Sequence, residues 1–256
     1  MGLRFCLLAS GSRGNAIFVQ AGSEAILVDC GLSGRELLGR LERAGLDHRQ
    51  LKAILVTHEH RDHVAGVGVV ARKLRLPVLA TPATFAECPG LGPVRHQAFR
   101  AGEGFRLGKL TIQPFAIPHD AADPVGLVIA NGSARLGLAT DLGQALKLVQ
   151  ARLAGCQALI LEHNHDPQML SEGPYPIWLQ QRVRSRHGHL SNQQGAELLA
   201  AVHGTELRQV VLAHLSEKNN TPELAAAAAR EALERLESGA GLSVARQEQP
   251  TAVLEI

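Results

Sequence analysis

No run of about 18 apolar residues occurs in the chain, which argues against a membrane-spanning helix. The opening MGLRFCLLASGSRG holds only a brief apolar stretch before turning rich in Gly, Ser and Arg. It lacks the long apolar region of a secretory signal and reads as a first strand. Cysteine is scarce. Cys6, Cys30, Cys88 and Cys156 stand far apart with no CxxC spacing. That argues against a disulfide frame and a thiolate zinc site, and it suggests reduced thiols in a cytoplasmic protein. Aromatics make up only 3% of residues, with one Trp (Trp178) and one Tyr (Tyr175). A broad base-stacking platform is therefore not expected, and any nucleic-acid contact should run mainly through backbone phosphates. A net charge of +2 is too small to imply such contact by itself.

What the chain does have is a core. Its 256 residues are 45% hydrophobic with mean hydropathy near zero, enough for one large globular domain or two small ones. LRFCLLAS (3–10), NAIFVQAG (15–22) and EAILVDC (24–30) read as successive strands, and SGRELLGRLERAG (33–45) as a helix. LKAILVTH (51–58) and PVLAT (77–81) are further strands, with helices after each. A second series follows: strands at 105–117, 124–132 and 134–143, a helix at 144–155 and a strand at 157–166. A less regular stretch precedes a helix at 192–204, a strand at 207–216 and an alanine-rich helix at 222–237, before a closing segment of strand character. Strands followed by helices, twice over and without a linker, predict two sheets packed face to face with helices outside. A single domain over residues 1–256 is expected.

The densest chemistry lies at 57–63, Thr-His-Glu-His-Arg-Asp-His, where His58, His60, Asp62 and His63 bring four potential metal ligands into six positions. Ile54, Leu55 and Val56 lead into the cluster and Val64 opens a helical pattern, so it sits at a strand-to-helix turn. Imidazoles and a carboxylate gathered there suit a divalent cation. A two-metal site needs further ligands, and strand ends are where to look. Asp29 follows EAILV, His119 follows PFAIP, Asp141 follows LGLAT and His214 follows QVVLA.

With these residues in that order, the chain resembles the metallo-β-lactamase superfamily, and the resemblance runs over nearly its whole length. SGSRGNAIFV (10–19), PHDAADPVG (118–126), EHNHD (162–166), GPYPIWLQQRV (173–183), GHLSN (188–192) and HLSEKNN (214–220) resemble the YycJ/WalJ-type branch of nuclease-like metallohydrolases. His163 departs from the small polar residue expected there. The resemblance implies an α/β fold, a four-layer αββα sandwich with a dinuclear metal centre between its sheets. It would place His58, His60 and His119 on one ion, Asp62, His63 and His214 on the other, and Asp141 between them. Asp29 would orient the cluster through hydrogen bonds. Zinc and manganese both fit these nitrogen and oxygen donors, and iron is not excluded.

The same resemblance implies a metal-dependent hydrolase, a phosphodiesterase acting as a nuclease on DNA from a 5′ end, with RNA as the alternative polymer. Asp62, His189 and His165 are the catalytic candidates, and His189 is favoured to protonate the leaving oxygen. Ser10, Ser12, Arg13 and Asn15, in a loop expected at the cleft rim, and Ser216, Asn219 and Asn220 are candidate phosphate contacts. Arg182, Arg184 and Arg186 form the densest basic stretch. Two other functions fit the composition: a small-molecule hydrolase acting on a thioester, lactone or cyclic phosphate, and a metal-bearing binding module without catalysis. Nucleic acid is the expected partner and a membrane is not. Homo-oligomerisation is left open.

Overall fold

A computed structural model describes residues 2–88 and 90–256. The first half of the chain runs β1 (Arg4–Ala9), β2 (Ala16–Ala21), β3 (Glu24–Val28), α1 (Gly34–Arg43), β4 (Leu51–Leu55), α2 (Arg61–Val64), α3 (Val67–Leu74), β5 (Val78–Ala80), α4 (Pro82–Glu87) and β6 (His96–Ala98). The second half runs β7 (Phe105–Leu107), β8 (Leu110–Ala116), β9 (Val125–Asn131), β10 (Ala134–Ala139), α5 (Lys147–Leu153), β11 (Ala158–Glu162), α6 (Pro167–Glu172), α7 (Ile177–Val183), α8 (Asn192–Val202), β12 (Gln209–Ala213), α9 (Pro222–Arg235), β13 (Gly241–Val244) and β14 (Leu254–Glu255). One sheet has the order β14-β1-β2-β3-β4-β5-β6 and the other β13-β12-β11-β10-β9-β8-β7. Each joins an antiparallel meander to a parallel set, β3 to β6 in the first and β10 to β13 in the second.

Strand side chains explain the four layers. Along β1, Phe5 and Leu7 face the second sheet, packing with Ile112, Leu127, Leu136 and Ile160 in the central core. The alternate residues Cys6 and Leu8 face outward onto Leu37 and Leu41 of α1 and Val67 and Val70 of α3. The second sheet does the same: Leu159 and Leu161 of β11 pack against Val149 and Leu153 of α5 and Leu198 and Leu199 of α8. Strands buried on both faces need apolar side chains at every position, hence the near-continuous runs in the sequence. Each large side chain so buried contributes about 1.5–3 kcal/mol.

Several boundaries differ from the sequence expectation. The segment 105–117 is two strands, because Gly108 turns the chain at φ +59° and pairs Leu107 with Leu110. The closing segment is also divided: β13 joins the second sheet beside β12, while β14 crosses to the first and pairs with β1. The helix after the histidine cluster breaks into α2 and α3 at Gly66, where a Cβ would lie 1.9 Å from the carbonyl oxygen of Leu32. The less regular stretch contains α6 and α7. Both sheets end their parallel sets on one edge, and open α/β sheets offer their carboxyl strand ends as binding crevices. Val125 N–H to Thr57 O (3.1 Å) and His214 N–H to Ser10 Oγ (2.7 Å) tie the sheets together there.

Candidate metal centre

The edge where strands β3, β4, β8, β10, β11 and β12 stop gathers the titratable groups. Immediately after β3, Asp29 adopts φ +60°. A bent backbone there turns its carboxylate onto the neighbouring segment, where it accepts Thr57 N–H and Thr57 Oγ1–H, both at 2.8 Å. It also accepts Nδ1–H of His63 at 2.8 Å. Thr57 Oγ1, its hydrogen committed to Asp29, lies 3.0 Å from Nδ1 of His58 and accepts from it. One carboxylate thus fixes the orientation of two imidazoles and leaves each Nε2 facing inward. His60 stands at the N-terminus of α2 without capping it, and the first turn of that helix carries Asp62 and His63. Gly31 is required beside them, because a Cβ there would lie 1.7 Å from the carbonyl oxygen of Asp62.

The second sheet supplies the rest. His119, just past β8, points Nδ1 at Gly188 O (3.1 Å) and Nε2 at Nδ1 of His60 (3.3 Å). Asp141 and His214 follow β10 and β12 at φ +56° and +58°. Conformations of this kind cost L-residues roughly 1–2 kcal/mol each, and here they recur at three residues of one site, Asp29, Asp141 and His214. His63 Nε2 lies 3.3 Å from Asp141 Oδ2; His214 Nε2 lies 3.5 Å from Asp141 Oδ1 and 3.4 Å from Asp62 Oδ2. Among the described residues, four sets have donor atoms all within 4.8 Å of one another: His58–His60–His119, His58–His63–Asp141, Asp62–His63–His214 and Asp141–Glu162–His189–His214.

Electrostatics favour a cation here. Among the described residues, buried His58 Nε2 and Asp141 Oδ2 have no hydrogen-bond partner, an arrangement that is costly unless something else satisfies them. Burial opposes the charged form of His63, but Asp141 and Asp29 outweigh it and hold the imidazole well above its ordinary range. Burial also opposes charge on His214, yet Asp141, Asp62 and Glu162 push it up to about 10. Asp141 goes the other way, held well below the usual carboxylate range by His214 and His63 despite complete burial. Carboxylates that retain protons on neighbouring imidazoles would bind a divalent ion in their place, so metal uptake and proton release are coupled. The donor chemistry fits a divalent metal.

Residues 24–215 match the family described as Beta-lactamase superfamily domain. The chain belongs to that superfamily. It is 38% identical over 245 residues to exodeoxyribonuclease YycJ of Bacillus anthracis, covering 94% of this chain and 93% of that one. Identity to exodeoxyribonuclease WalJ of Streptococcus pneumoniae serotype 2 (strain D39 / NCTC 7466) is 35% over 231 residues, 88% of this chain and 86% of the other. Among solved structures, the metallo-β-lactamase-fold protein YhfI of Bacillus subtilis superposes with TM-score 0.77 at 16% identity, covering all of both chains. The short form of human tRNase Z does so with TM-score 0.66 at 14% identity, over 99% of this chain and 100% of that one. These two likenesses carry the fold.

One residue of this superfamily member escaped the sequence reading. Glu162, the last residue of β11, is wholly buried and accepts five hydrogen bonds. They come from His189 Nδ1 (2.8 Å), His214 Nδ1 (3.0 Å) and the backbone N–H groups of Asp141 (3.1 Å), Leu142 (3.0 Å) and Leu190 (2.9 Å). Burial opposes its ionisation, but His189 and His214 outweigh it and bring its pKa down to about 2. The available signal was an acid closing the apolar run ALILE, the same pattern that drew attention to Asp29. His189 lines the cleft beside His60, Asp62, Asp141 and His214. His165 does not line it: it is buried, and the adjacent Asp166 caps α6 by accepting Gln168 and Met169 N–H.

The expected phosphate contacts divide. Ser12 and Ser216 line the cleft. Ser10 instead holds the backbone of His214, and Asn15 Nδ2 donates to Asp62 Oδ2 at 3.1 Å, so both act on the cluster itself. Arg13, the third candidate of that loop, pairs with Glu217 and Glu248. Asn219 and Asn220 are buried; Asn220 Nδ2 donates to His163 O (2.8 Å) and Asn164 O (3.0 Å), bracing the turn after β11.

His163 lies fully buried, and neither ring nitrogen has a hydrogen-bond partner among the described residues. Burial brings the pKa of His163 and of His165 down to about 4. A depressed imidazole adds stability above its unfolded pKa near 6.5 and loses it as pH falls towards the folded value. Burial of His58 and His119 acts in the same direction, whereas His63 and His214 are already protonated in both states below pH 6.5. The metal-free protein is therefore expected to lose stability steeply between about pH 6.5 and 4. A urea-unfolding midpoint that stays flat across that window would show these imidazoles to be protonated in the fold.

Proposed function

We propose that this protein is a metal-dependent exonuclease that hydrolyses phosphodiester bonds of DNA, working from a 5′ end. The observation that carries the reading is the convergence on Asp141 of the histidine sets and the Glu162–His189 pair, at one cleft of about 240 Å³. The names of the YycJ and WalJ relatives supply the polymer. His58, His60 and His119 would hold one divalent ion and Asp62, His63 and His214 a second, with Asp141 shared. Zinc, manganese and iron all suit the nitrogen and oxygen donors. Such a pair supplies hydroxide near neutral pH and neutralises charge growing on phosphate oxygens.

The chain's own groups do the rest. Asp29 and Glu162 hold the imidazoles of His63 and His214 in the tautomer that presents Nε2. Glu162 accepts Nδ1–H of His189, so Nε2 of that ring is left for the cleft it lines, where it carries the proton given to the departing oxygen. Asn15 steadies Asp62, and Ser12 and Ser216 offer neutral donors to the substrate. A cytoplasmic setting suits the four unpaired cysteines, and among the described residues no helix is long and apolar enough to cross a membrane.

The test is purified protein with Mn²⁺ or Zn²⁺ on DNA and RNA, single- and double-stranded, labelled at each end in turn. Release of the 5′ label from DNA as mononucleotides is expected. Intact oligonucleotides alongside turnover of a thioester or lactone would replace the reading with a small-molecule hydrolase.

A further inference from the structure

The chain is poor in aromatics, but its single Trp and single Tyr lie three residues apart, and the Tyr lines the cleft. Tyr175, Leu179, Arg182 and Val183 line that cleft with the candidate ligands. Leu179, Arg182 and Val183 belong to α7, and Tyr175 stands in the turn before it. Trp178, four residues before Arg182 and so its neighbour on the helix surface, is 65% exposed, and Ile177 beside it is 73% exposed. Large apolar side chains left in water beside a site, without a partner among the described residues, call for an occupant. The adjoining Arg182, Arg184 and Arg186 are exposed and give the rim a positive edge. Arg182 reaches inward to Asp120 (2.7 and 2.6 Å), the residue next to His119, so the platform is tied directly to the centre.

We infer that α7 and the turn before it grip the unpaired end of a nucleic-acid strand, its bases stacked on Trp178 and Tyr175 and its phosphates beside the arginines. This rests on the nuclease reading above and names the form of substrate that site takes. A base can lie on Trp178 or Tyr175 only when its face is free of its neighbours in a duplex, so the entering end is unpaired. Stacking tolerates any base, because every base has a π-face, and the arginines track the backbone whatever the sequence. The expected result is a strand-end preference without a sequence preference.

Because Trp178 is the chain's single Trp, its fluorescence reports on this place alone. Full-length metal-loaded protein is titrated with a phosphorothioate oligothymidylate, which resists hydrolysis, and with an abasic phosphorothioate strand of equal length. The first is expected to quench Trp178 and bind at least about tenfold more tightly than the second. Trp178→Ala is expected to raise KM for single-stranded DNA by about tenfold, and Trp178→Phe, which keeps a ring to stack on, to restore most of it. Equal affinity for both strands, or a Trp178→Ala enzyme within about twofold of wild type on DNA, would overturn the inference and leave the nuclease reading standing. Wild type that cleaves no nucleic acid would remove the nuclease reading instead. A change in Trp178 emission with protein concentration alone would make the patch a contact between copies and likewise overturn it.

Discussion

Asp141→Asn is expected to abolish metal loading and hydrolysis together, with a fall on the order of a thousandfold or more in kcat/KM. Asparagine keeps the shape and the turn but removes the charge that two of the donor clusters share. Asp141 oxygens stand 3.3 Å from His63, 3.5 Å from His214 and 3.9 Å from His119. Metal-derived charge stabilisation is worth several kcal/mol, and each 1.36 kcal/mol is a factor of ten, which sets the size of the loss. Elemental analysis of the purified variant beside wild type measures the first half of the claim and turnover of end-labelled DNA the second. A variant that keeps its metal and its rate would end the assignment.

Glu162→Gln should cost both activity and stability. A glutamine has one acceptor oxygen where the carboxylate has two. If that oxygen stays with His189 and His214 on the Oε1 side, the amide NH₂ faces the N–H groups of Leu142 and Leu190, donor against donor. Each buried donor left without an acceptor costs about 1–3 kcal/mol, so the variant should be destabilised by about 2–5 kcal/mol. The turnover rate should fall by about a hundredfold, since His189 loses the carboxylate that orients its ring towards the cleft. Chemical denaturation and single-turnover kinetics check the two halves. Unchanged stability would mean that the backbone donors find other acceptors. An unchanged rate would remove His189 from the proton transfer.

The fold and most of the centre were legible because both follow from local patterns. Apolar runs ending in Asp29, His58, Asp141 and His214 are strands whose last residues emerge at the sheet edge, and the structure brings these side chains together. What failed to show depends on partners distant in sequence. Arg13 looks free beside Ser12 and Gly14, yet its partners Glu217 and Glu248 arrive from 204 and 235 residues away. Glu162 reads as the polar end of a strand until five donors from three other segments converge on it. Helix α7 was hidden because its exposed Ile177 and Trp178 break the polar-out pattern by which surface helices are recognised. Low aromatic content argues against a broad stacking surface, but an average cannot reveal that the single Trp and the single Tyr lie three residues apart.

His58 and His63 follow β4 of one sheet, and His119, Asp141 and His214 follow β8, β10 and β12 of the other. An ion held by both sets therefore works as a rivet between the two halves. Loading it would resist any sliding of one half over the other, and loosening the interior far from the cleft would pull the donors apart. Affinity for metal and resistance to shear are then a single property of this protein.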